Sequence, residues 1–217
     1  MVTLVKTFLS TMVMVLMCGY MAAAQNFSEE FSKVYSACLS LRSASVSGST
    51  FLMKSAGTEL KEARTRYFST LQCLDKSKPS LNGHFIFDCE FVDSLIINRN
   101  VYSFAQRYAN RSAERSISYS GGGTYIKTCC VSASSSARYS FVSSGYQELA
   151  VIAEGGGLIN LRVYDATNKV WHNDTQDLNI GRPSRTRAFE VPNTYARLEI
   201  EVINKTDKDI SFVVISN

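Results

Sequence analysis

The sequence predicts an α+β protein, in which an N-terminal helical hairpin or small helical domain precedes a C-terminal antiparallel β-sandwich. Two patterns predict this fold class. Apolar residues recur every three or four positions from Asn26 to about Leu74, and they alternate with polar residues from about Ser116 onward. The chain has 217 residues, of which 45% are hydrophobic, and this composition excludes a disordered chain.

The first 24 residues have the features of a secretory signal peptide. Lys6 precedes an uncharged apolar run from Thr7 to about Met17, and small residues then lead to Ala24. A short positive region, an apolar stretch of ~7–15 residues and an A-x-A cleavage site define such signals. We therefore expect cleavage after Ala24 and a soluble secreted or periplasmic protein that begins at Gln25.

Two alternatives to a cleaved signal remain open. A retained anchor needs a longer apolar run, because a spanning helix takes ~20 residues. Lipid attachment at Cys18 would use a weak lipobox, since the bulky Met17 stands where that motif has a small residue. No later segment is apolar and long enough to span a membrane, so we expect no transmembrane segment after cleavage.

The helical half is predicted to contain two amphipathic helices joined by a short polar link. The first begins at the capped, acidic turn Ser28-Glu29-Glu30, and the Ser-rich stretch around Gly48 interrupts it. The apolar positions of the second helix are Ala56, Leu60, Ala63, Tyr67, Leu71 and Leu74. Further helical periodicity follows Asp88. The predicted organisation is a signal peptide at 1–24, a helical domain at 25–112 and a β-sandwich domain at 113–217.

The second half is predicted to form seven or eight short strands. Their apolar positions are Tyr139 and Phe141; Leu149, Val151 and Ala153; Ile159, Leu161 and Val163; Leu198, Ile200 and Val202; and Ile210, Phe212 and Val214. Turn signals at 144–145, 155–157, 192–193 and 205–208 and a long loop at 166–185 separate these strands. Short alternating strands with turns at such spacing are typical of a β-sandwich.

Charge excludes one class of partner. Residues 25–112 hold 11 Lys and Arg against 8 Asp and Glu, and residues 113–217 hold 11 against 11, so neither half is a basic domain. The electrostatic footprint of a nucleic-acid-binding protein is missing, and we expect no nucleic acid as partner. A local basic cluster contains Arg182, Arg185 and Arg187. It is either a solvated loop beside Pro183 or an anion-binding site.

Five cysteines would remain after export, and an oxidising compartment lets disulfides persist. Cys129 and Cys130 are adjacent in a predicted strand and point to opposite faces, so they are not expected to pair. Cys38 and Cys73 fall on the two predicted helices and are candidates for a disulfide, although both are equally compatible with buried free thiols. No C-x-x-C motif occurs, which argues against a redox or zinc site.

Three segments of the second half follow the strand order of a known domain family. They are SARYSFVSSGYQELAVIAEGGG, INLRVYDATNKVWHND and RAFEVPNTYARLEIEVINKTDKDISFVV. They resemble the jelly-roll domains of the pre-peptidase C-terminal type over less than half of the chain. This resemblance implies an extracytoplasmic binding or accessory module, with no catalytic residues to carry over. The signal and the Ser- and Asn-rich strands also resemble exported proteins of gut Bacteroidetes.

Catalytic and metal motifs are scarce. The sequence contains no H-E-x-x-H, G-x-S-x-G or nucleotide-binding glycine motif. Cys89 and His84 would provide a nucleophile and a base only if the imidazole activated the thiol. Asp165, Asp174 and Asp177 are weak candidates for calcium ligands, because their spacing departs from the EF-hand pattern. We expect no resident metal or cofactor and predict no catalytic residue.

The most informative polar segment surrounds Trp171, the single tryptophan of the chain. An exposed indole beside His172, Asn173 and Asp174 is suited to stack on a sugar while its neighbours bind hydroxyl groups. The other interpretation, which we favour from sequence alone, is a core tryptophan that closes one end of the sandwich. Together with Arg182 and Arg185, these four residues are the candidate ligand-binding residues.

The expected function is that of an exported, non-enzymatic binding or accessory protein. Its sandwich would contact a glycan or a protein partner at the cell envelope or outside the cell. The alternative is a secreted hydrolase, or an accessory subunit of one, with an unrecognised site near His84, Cys89 and His172.

Overall fold

The computed structural model describes residues 27–63, 65–75, 86–87, 123–172 and 180–217. Two helices, α1 at Glu29–Ser47 and α2 at Thr50–Glu62, precede the sheet. The described strands are β1 Arg66–Tyr67, β2 Gln72–Cys73, β3 Tyr125–Val131, β4 Ser136–Ala153, β5 Ile159–Asp165, β6 Val170–Trp171, β7 Ser184–Asn204 and β8 Ile210–Ser216. The predicted α+β class, with a helical hairpin before a β-sandwich, is confirmed. The helices expected after Asp88 lie outside the described residues.

The hairpin forms where the sequence places its helix signals. The Ser28 side chain accepts a hydrogen bond from the Phe31 N–H, and Glu29 and Glu30 oppose the positive end of the α1 dipole. Gly48 ends α1 with φ of 67°, a left-handed conformation that glycine adopts without a steric penalty. Neither described helix is long and apolar enough to cross a membrane.

The second helix is shorter than predicted, because α2 ends at Glu62 and does not continue to Leu74. Arg66–Tyr67 pairs in parallel with β3, and Gln72–Cys73 pairs antiparallel with β4. The four-residue spacing of Ala63, Tyr67 and Leu71 fits a helix and a strand equally well, so periodicity alone did not distinguish the two structures. Pairing with the sheet determines that both segments form strands, because the partner strands supply their backbone hydrogen bonds.

The sheet has the order β1-β3-β8-β4-β7-β5-β6, with β2 paired to the first half of β4. The two long strands, β4 and β7, run through both layers of the sandwich. Layer A consists of β3, β8, the second half of β4 and the first half of β7. Layer B consists of β2, the first half of β4, the second half of β7, β5 and β6.

The long strands bend where the sequence predicted turns at 144–145 and 192–193. Ser143 pairs with Ala196 whereas Gly145 pairs with Val191, so the ladder shifts register at this point. Gly145 has φ of 70°, and Pro192, which has no N–H to donate, lies in the same irregular stretch. The two turn signals face each other across the ladder, and together they bend the strand pair instead of reversing it.

Two hydrophobic clusters lie on opposite sides of layer A. The cluster between the layers includes Cys129, Val131, Tyr139, Phe141, Leu149, Val151, Leu161, Val163, Leu198, Ile200, Phe212 and Val214. The cluster between layer A and the helices includes Phe31, Val34, Cys38, Leu41, Leu60, Phe87, Ile126, Ala150, Ile152, Val213 and Ile215. Layer A is therefore buried on both faces, and the hairpin shares its core with the sheet.

Polar contacts fix α1 along the second half of β4. The backbone N–H and the hydroxyl of Ser28 both donate to the buried Glu148 carboxylate. Near the other end of the helix, the Arg42 guanidinium donates to the carbonyl oxygens of Ala153 at 2.8 Å and of Gly157 at 3.3 Å. These contacts set the direction of α1, which runs from the start of the second half of β4 to the turn that follows the strand.

The structure holds Cys38 and Cys73 as free thiols. Cys38 is fully buried in the cluster on the helix side of layer A, and burial raises the pKa of its thiol. Cys73 packs against the cluster between the layers, because it lies on β2 and not on the second helix. Of the two alternatives for Cys38 and Cys73, a disulfide or free thiols, the structure therefore contains the free thiols. Cys89 lies outside the described residues.

Leu41→Ala tests whether the helices and the sheet share one core. Leu41 is fully buried in the cluster between α1 and layer A, so we expect its truncation to lower the free energy of unfolding by about 2–5 kcal/mol. Urea unfolding followed by far-UV circular dichroism and by Trp171 fluorescence should show both transitions shifting together. Val46→Ala is the control, because Val46 is 58% exposed on the same helix. Loss of the helical signal well before the Trp171 signal would contradict the shared core.

Candidate functional site

Outward-facing side chains form regular rows across layer B. The pairings Trp171–Tyr164, Tyr164–Glu199, Glu199–Ser140 and Ser140–Gln72 give one continuous row across five strands. A second row, two residues away along the strands, contains Arg162, Glu201 and Arg138. The alternation of strand side chains places both rows on the side opposite to the core. We call this surface the outer face of layer B.

Trp171 is the most exposed aromatic residue of these rows. Its side chain is 53% exposed, which corrects the interpretation favoured from sequence, a core tryptophan. Its ring centroid lies 4.7 Å from that of Tyr164, with 39° between the ring planes. The Arg162 guanidinium carbon lies 5.2 Å from the indole centroid, within the range of a cation–π contact. Tyr164 and Arg162 therefore pack against the indole of Trp171, while part of its ring is exposed to solvent.

The hairpin that carries Trp171 is shaped by the buried Asp165. One carboxylate oxygen of Asp165 accepts hydrogen bonds from the N–H groups of Thr167 at 3.0 Å and Asn168 at 2.9 Å. The other oxygen accepts from the Asn168 side-chain amide at 2.7 Å. Burial raises the pKa of Asp165, but these hydrogen bonds outweigh it and hold the pKa below its usual value. An ionised Asp165 thus fixes the turn between β5 and β6.

The structure gives Asp165 a role other than calcium binding, because its oxygens face the donors of the turn. No group of three or more His, Cys, Asp or Glu side chains suited to hold a metal occurs in the part of the chain that is described. Asp174 and Asp177, the other two calcium candidates, lie outside the described residues.

His172 does not join Trp171 on the outer face. Its backbone N–H donates to the Val163 carbonyl at 2.9 Å, and its ring stacks on Phe189 with centroids 4.2 Å apart and 16° between the planes. Nε2 is buried and has no hydrogen-bond partner among the described residues. Burial lowers the pKa of His172, although the charge of Asp165 opposes this shift. Asn173 and Asp174, the expected polar neighbours, lie outside the described residues.

The two candidate arginines differ in their environments. Arg185 is buried, and its guanidinium donates to Asn160 Oδ1 from Nε at 3.1 Å and also to the Ile180 carbonyl. Arg182 is exposed, and its backbone forms an isolated bridge with Ile159. Arg187 donates to the carbonyl of Thr186 at 2.7 Å. Arg185 is thus engaged inside the fold, whereas Arg182 is exposed on the surface.

Charged side chains surround the aromatic pair in partly exposed ion pairs. Arg162 Nη1 lies 3.1 Å from Glu201 Oε2, and Arg197 Nη2 lies 3.3 Å from Glu199 Oε1. Tyr164, Arg162 and Glu201 are not among the candidate residues predicted from the sequence. The signal was present in INLRVYD, because the period of two places Arg162 and Tyr164 opposite to Leu161 and Val163.

Comparison with known proteins finds likeness in structure alone. No protein-family model and no curated protein matches the chain. It is similar to the pre-peptidase C-terminal domain of collagenase from Bacillus anthracis, with 12% identity, 42% of this chain and 88% of that chain covered, and a TM-score of 0.30. This domain is of the type that the second half of the sequence resembles, and a match of this TM-score does not assign the chain to that family.

Two further solved structures are similar over a comparable share of the chain. The Salmonella Typhimurium periplasmic lysozyme inhibitor PliG has 12% identity and a TM-score of 0.30, with 46% of this chain and 93% of that chain covered. TmCBM61, solved in complex with β-1,4-galactotriose, has 13% identity and a TM-score of 0.24, with 42% and 81% covered. At these identities and TM-scores the likenesses assign no partner or activity to this chain.

The environment of His172 predicts a pH-dependent stability. Its pKa in the folded chain lies below the ordinary value of 6.5, so the unfolded chain binds the proton first as the pH falls. The free energy of unfolding should be unaffected by His172 above that value, should decrease below it, and should level off below the folded-state pKa. Urea unfolding of the wild type and of His172→Gln between about pH 8 and about pH 5 checks this. Parallel pH profiles for the two proteins would contradict the expected role.

Proposed function

We propose that the protein is a non-enzymatic binding module and that the outer face of layer B binds a carbohydrate, with Trp171 as the stacking platform. The observation that supports this most directly is the 53% exposure of the indole beside Tyr164. Aromatic rings are usually buried, and those left partly exposed and rigidly supported are enriched at recognition surfaces.

The chemistry of the surface suits a sugar. A sugar ring has an apolar face of C–H groups that packs against an indole, while its hydroxyl groups need donors and acceptors nearby. Arg162 supplies donors next to Trp171, and the carboxylate of Glu201 supplies acceptors in the same row. The two rows are about 7 Å apart along the strands, so one bound sugar reaches both.

The polar groups of this surface are held in place before any ligand binds. Glu201 Oε2 accepts from Arg162, and Glu201 Oε1 accepts from the Ser136 hydroxyl at 3.0 Å. Arg138 Nε lies 3.4 Å from Asp75 Oδ1 on the far side of the row. Side chains fixed in this way lose little conformational entropy on binding, which favours affinity.

Export belongs to the same proposal. The N-terminal segment is the basis for a secreted or periplasmic location, where extracellular and envelope glycans are accessible. No described contact favours the alternative of a hydrolase, because the His172 ring is stacked on Phe189 and its Nε2 is enclosed. His84 and Cys89 lie outside the described residues.

Trp171→Ala tests the proposed platform. Glycan-array screening followed by titration calorimetry on the best ligand should show that the variant binds at least about 30-fold more weakly, equivalent to a hot-spot loss of ~2 kcal/mol. The matched control is Tyr146→Ala, because Tyr146 is a 46% exposed aromatic residue on β4 in layer A. This control should bind like the wild type.

Two results would overturn the carbohydrate proposal. One is the absence of glycan binding by the wild type, and the other is a glycan affinity that Trp171→Ala leaves unchanged. Capture of a protein partner that depends on Trp171, without any glycan binding, would assign the same surface to protein recognition instead.

A further inference from the structure

The tip of the helical hairpin follows the contacts that hold α1 to the end of β4. Ser28 contacts Glu148 and Arg42 contacts Ala153 and Gly157, so by residue 42 the helix has already reached the end of β4. Ser47 lies five residues further on, which adds about 7.5 Å of helix. We call residues 46–52 the hairpin tip.

The hairpin tip presents apolar side chains to solvent. Val46 is 58% exposed, Phe51 is 79% exposed and Leu52 is 51% exposed. No charged residue occurs between Arg42 and Lys54, and Arg42 is engaged by the sheet. These three residues are therefore left uncovered by the described part of the fold.

Several polar groups of the hairpin tip have hydrogen-bond partners within the hairpin itself. The N–H groups of Gly48 and Ser49 donate to Ser45 and Ala44 carbonyls at 3.1 Å each. The Ser47 hydroxyl donates to the Ala44 carbonyl at 2.9 Å, and the Ser49 hydroxyl accepts from the Leu52 N–H. Moving these groups out of water therefore carries a reduced cost, because a buried polar group is expensive only when it lacks a hydrogen bond.

The size and shape of the patch favour a lipid surface over a protein. Phe51 is the only aromatic residue of the three, and an aromatic side chain carries ~150–250 Å². Val46 and Leu52 are smaller, so the three partly exposed side chains together present on the order of 300–400 Å². A stable protein interface needs about 800 Å² on each partner, which a second copy of this tip would not provide. A convex, uncharged tip matches shallow insertion at the boundary between headgroups and acyl chains.

We propose that the hairpin tip is a membrane-docking element that inserts Phe51, Leu52 and Val46 into the interfacial region of a lipid bilayer. Lys54 follows Met53, directly after the apolar pair Phe51-Leu52. In the docked protein it lies at the level of the lipid phosphates and contacts them with its ammonium group. The hairpin packs on layer A, so this contact leaves the outer face of layer B free.

The test places the only tryptophan of the chain at the tip. The protein is Phe51→Trp with Trp171→Phe, produced as the chain beginning at Gln25 so that the apolar run 7–17 is absent. All described elements lie after Gln25. Vesicles of phosphatidylcholine with phosphatidylglycerol should shift the emission to the blue, and brominated lipids should quench it. Val142→Trp with Trp171→Phe is the control, because Val142 is equally exposed at 58% on layer B, and it should show neither effect.

A binding measurement complements the fluorescence. In vesicle co-sedimentation, Phe51→Ser combined with Leu52→Ser should lower the partition coefficient at least tenfold, while circular dichroism confirms that the variant is folded. The proposal is overturned if the tip probe shows no blue shift, or if the double variant binds vesicles like the wild type. It is also overturned if the wild type forms a concentration-dependent dimer that the double variant loses, since the tip is then an interface between copies.

Discussion

The pairing of β4 with β7 is the constraint on which the rest of the structure depends. The ladder runs from Ser136–Ile203 to Ile152–Ser184 and contributes to both layers of the sandwich. Because one strand pair spans both layers, its register determines which side chains face the core and which face outward in each of them. A slip by one residue would exchange the core position of Tyr139 with the outward position of Arg138.

The two layers have different environments as a consequence. Layer A is covered on its second face by the helical hairpin, which adds a second hydrophobic cluster around Leu41 and Ile152. Layer B carries no described helix on its outer face and displays Trp171 and the charged rows there. The helices therefore cover one face of the sandwich, and the opposite face carries the surface proposed for recognition. The hairpin tip adds a third, apolar surface.

The sequence predicted the fold class because the periodicity of apolar residues reports burial directly. Local signals such as the Ser28 cap and Gly48 also marked the helix ends where the structure has them. Long-range pairing decided what periodicity left ambiguous. Arg66–Tyr67 forms a strand instead of a helical turn because it pairs with β3. The turn signal at Gly145 corresponds to a bend because the residues on both sides of it pair with β7.

The candidate site was predicted only in part. The sequence singled out Trp171, but residue type alone favoured a buried ring. The exposure of a side chain depends on which elements pack against it, and the residue type does not report this. Tyr164 and Arg162 were missed, since their importance comes from cross-strand neighbours. Arg185 was selected for its charge, but the structure buries it against Asn160, which no local pattern indicates.

The most direct test of the account is collisional quenching of Trp171, since it is the single tryptophan and reports the exposure of the outer face of layer B. Acrylamide and iodide should both quench the fluorescence of the native protein, with quenching constants of the same order as those of the urea-unfolded chain. The emission maximum should lie at a longer wavelength than that of a buried indole. Blue-shifted emission that neither quencher reaches would show that the ring is enclosed. The exposure of Trp171 on the outer face of layer B, and the recognition role proposed for that face, would then be contradicted.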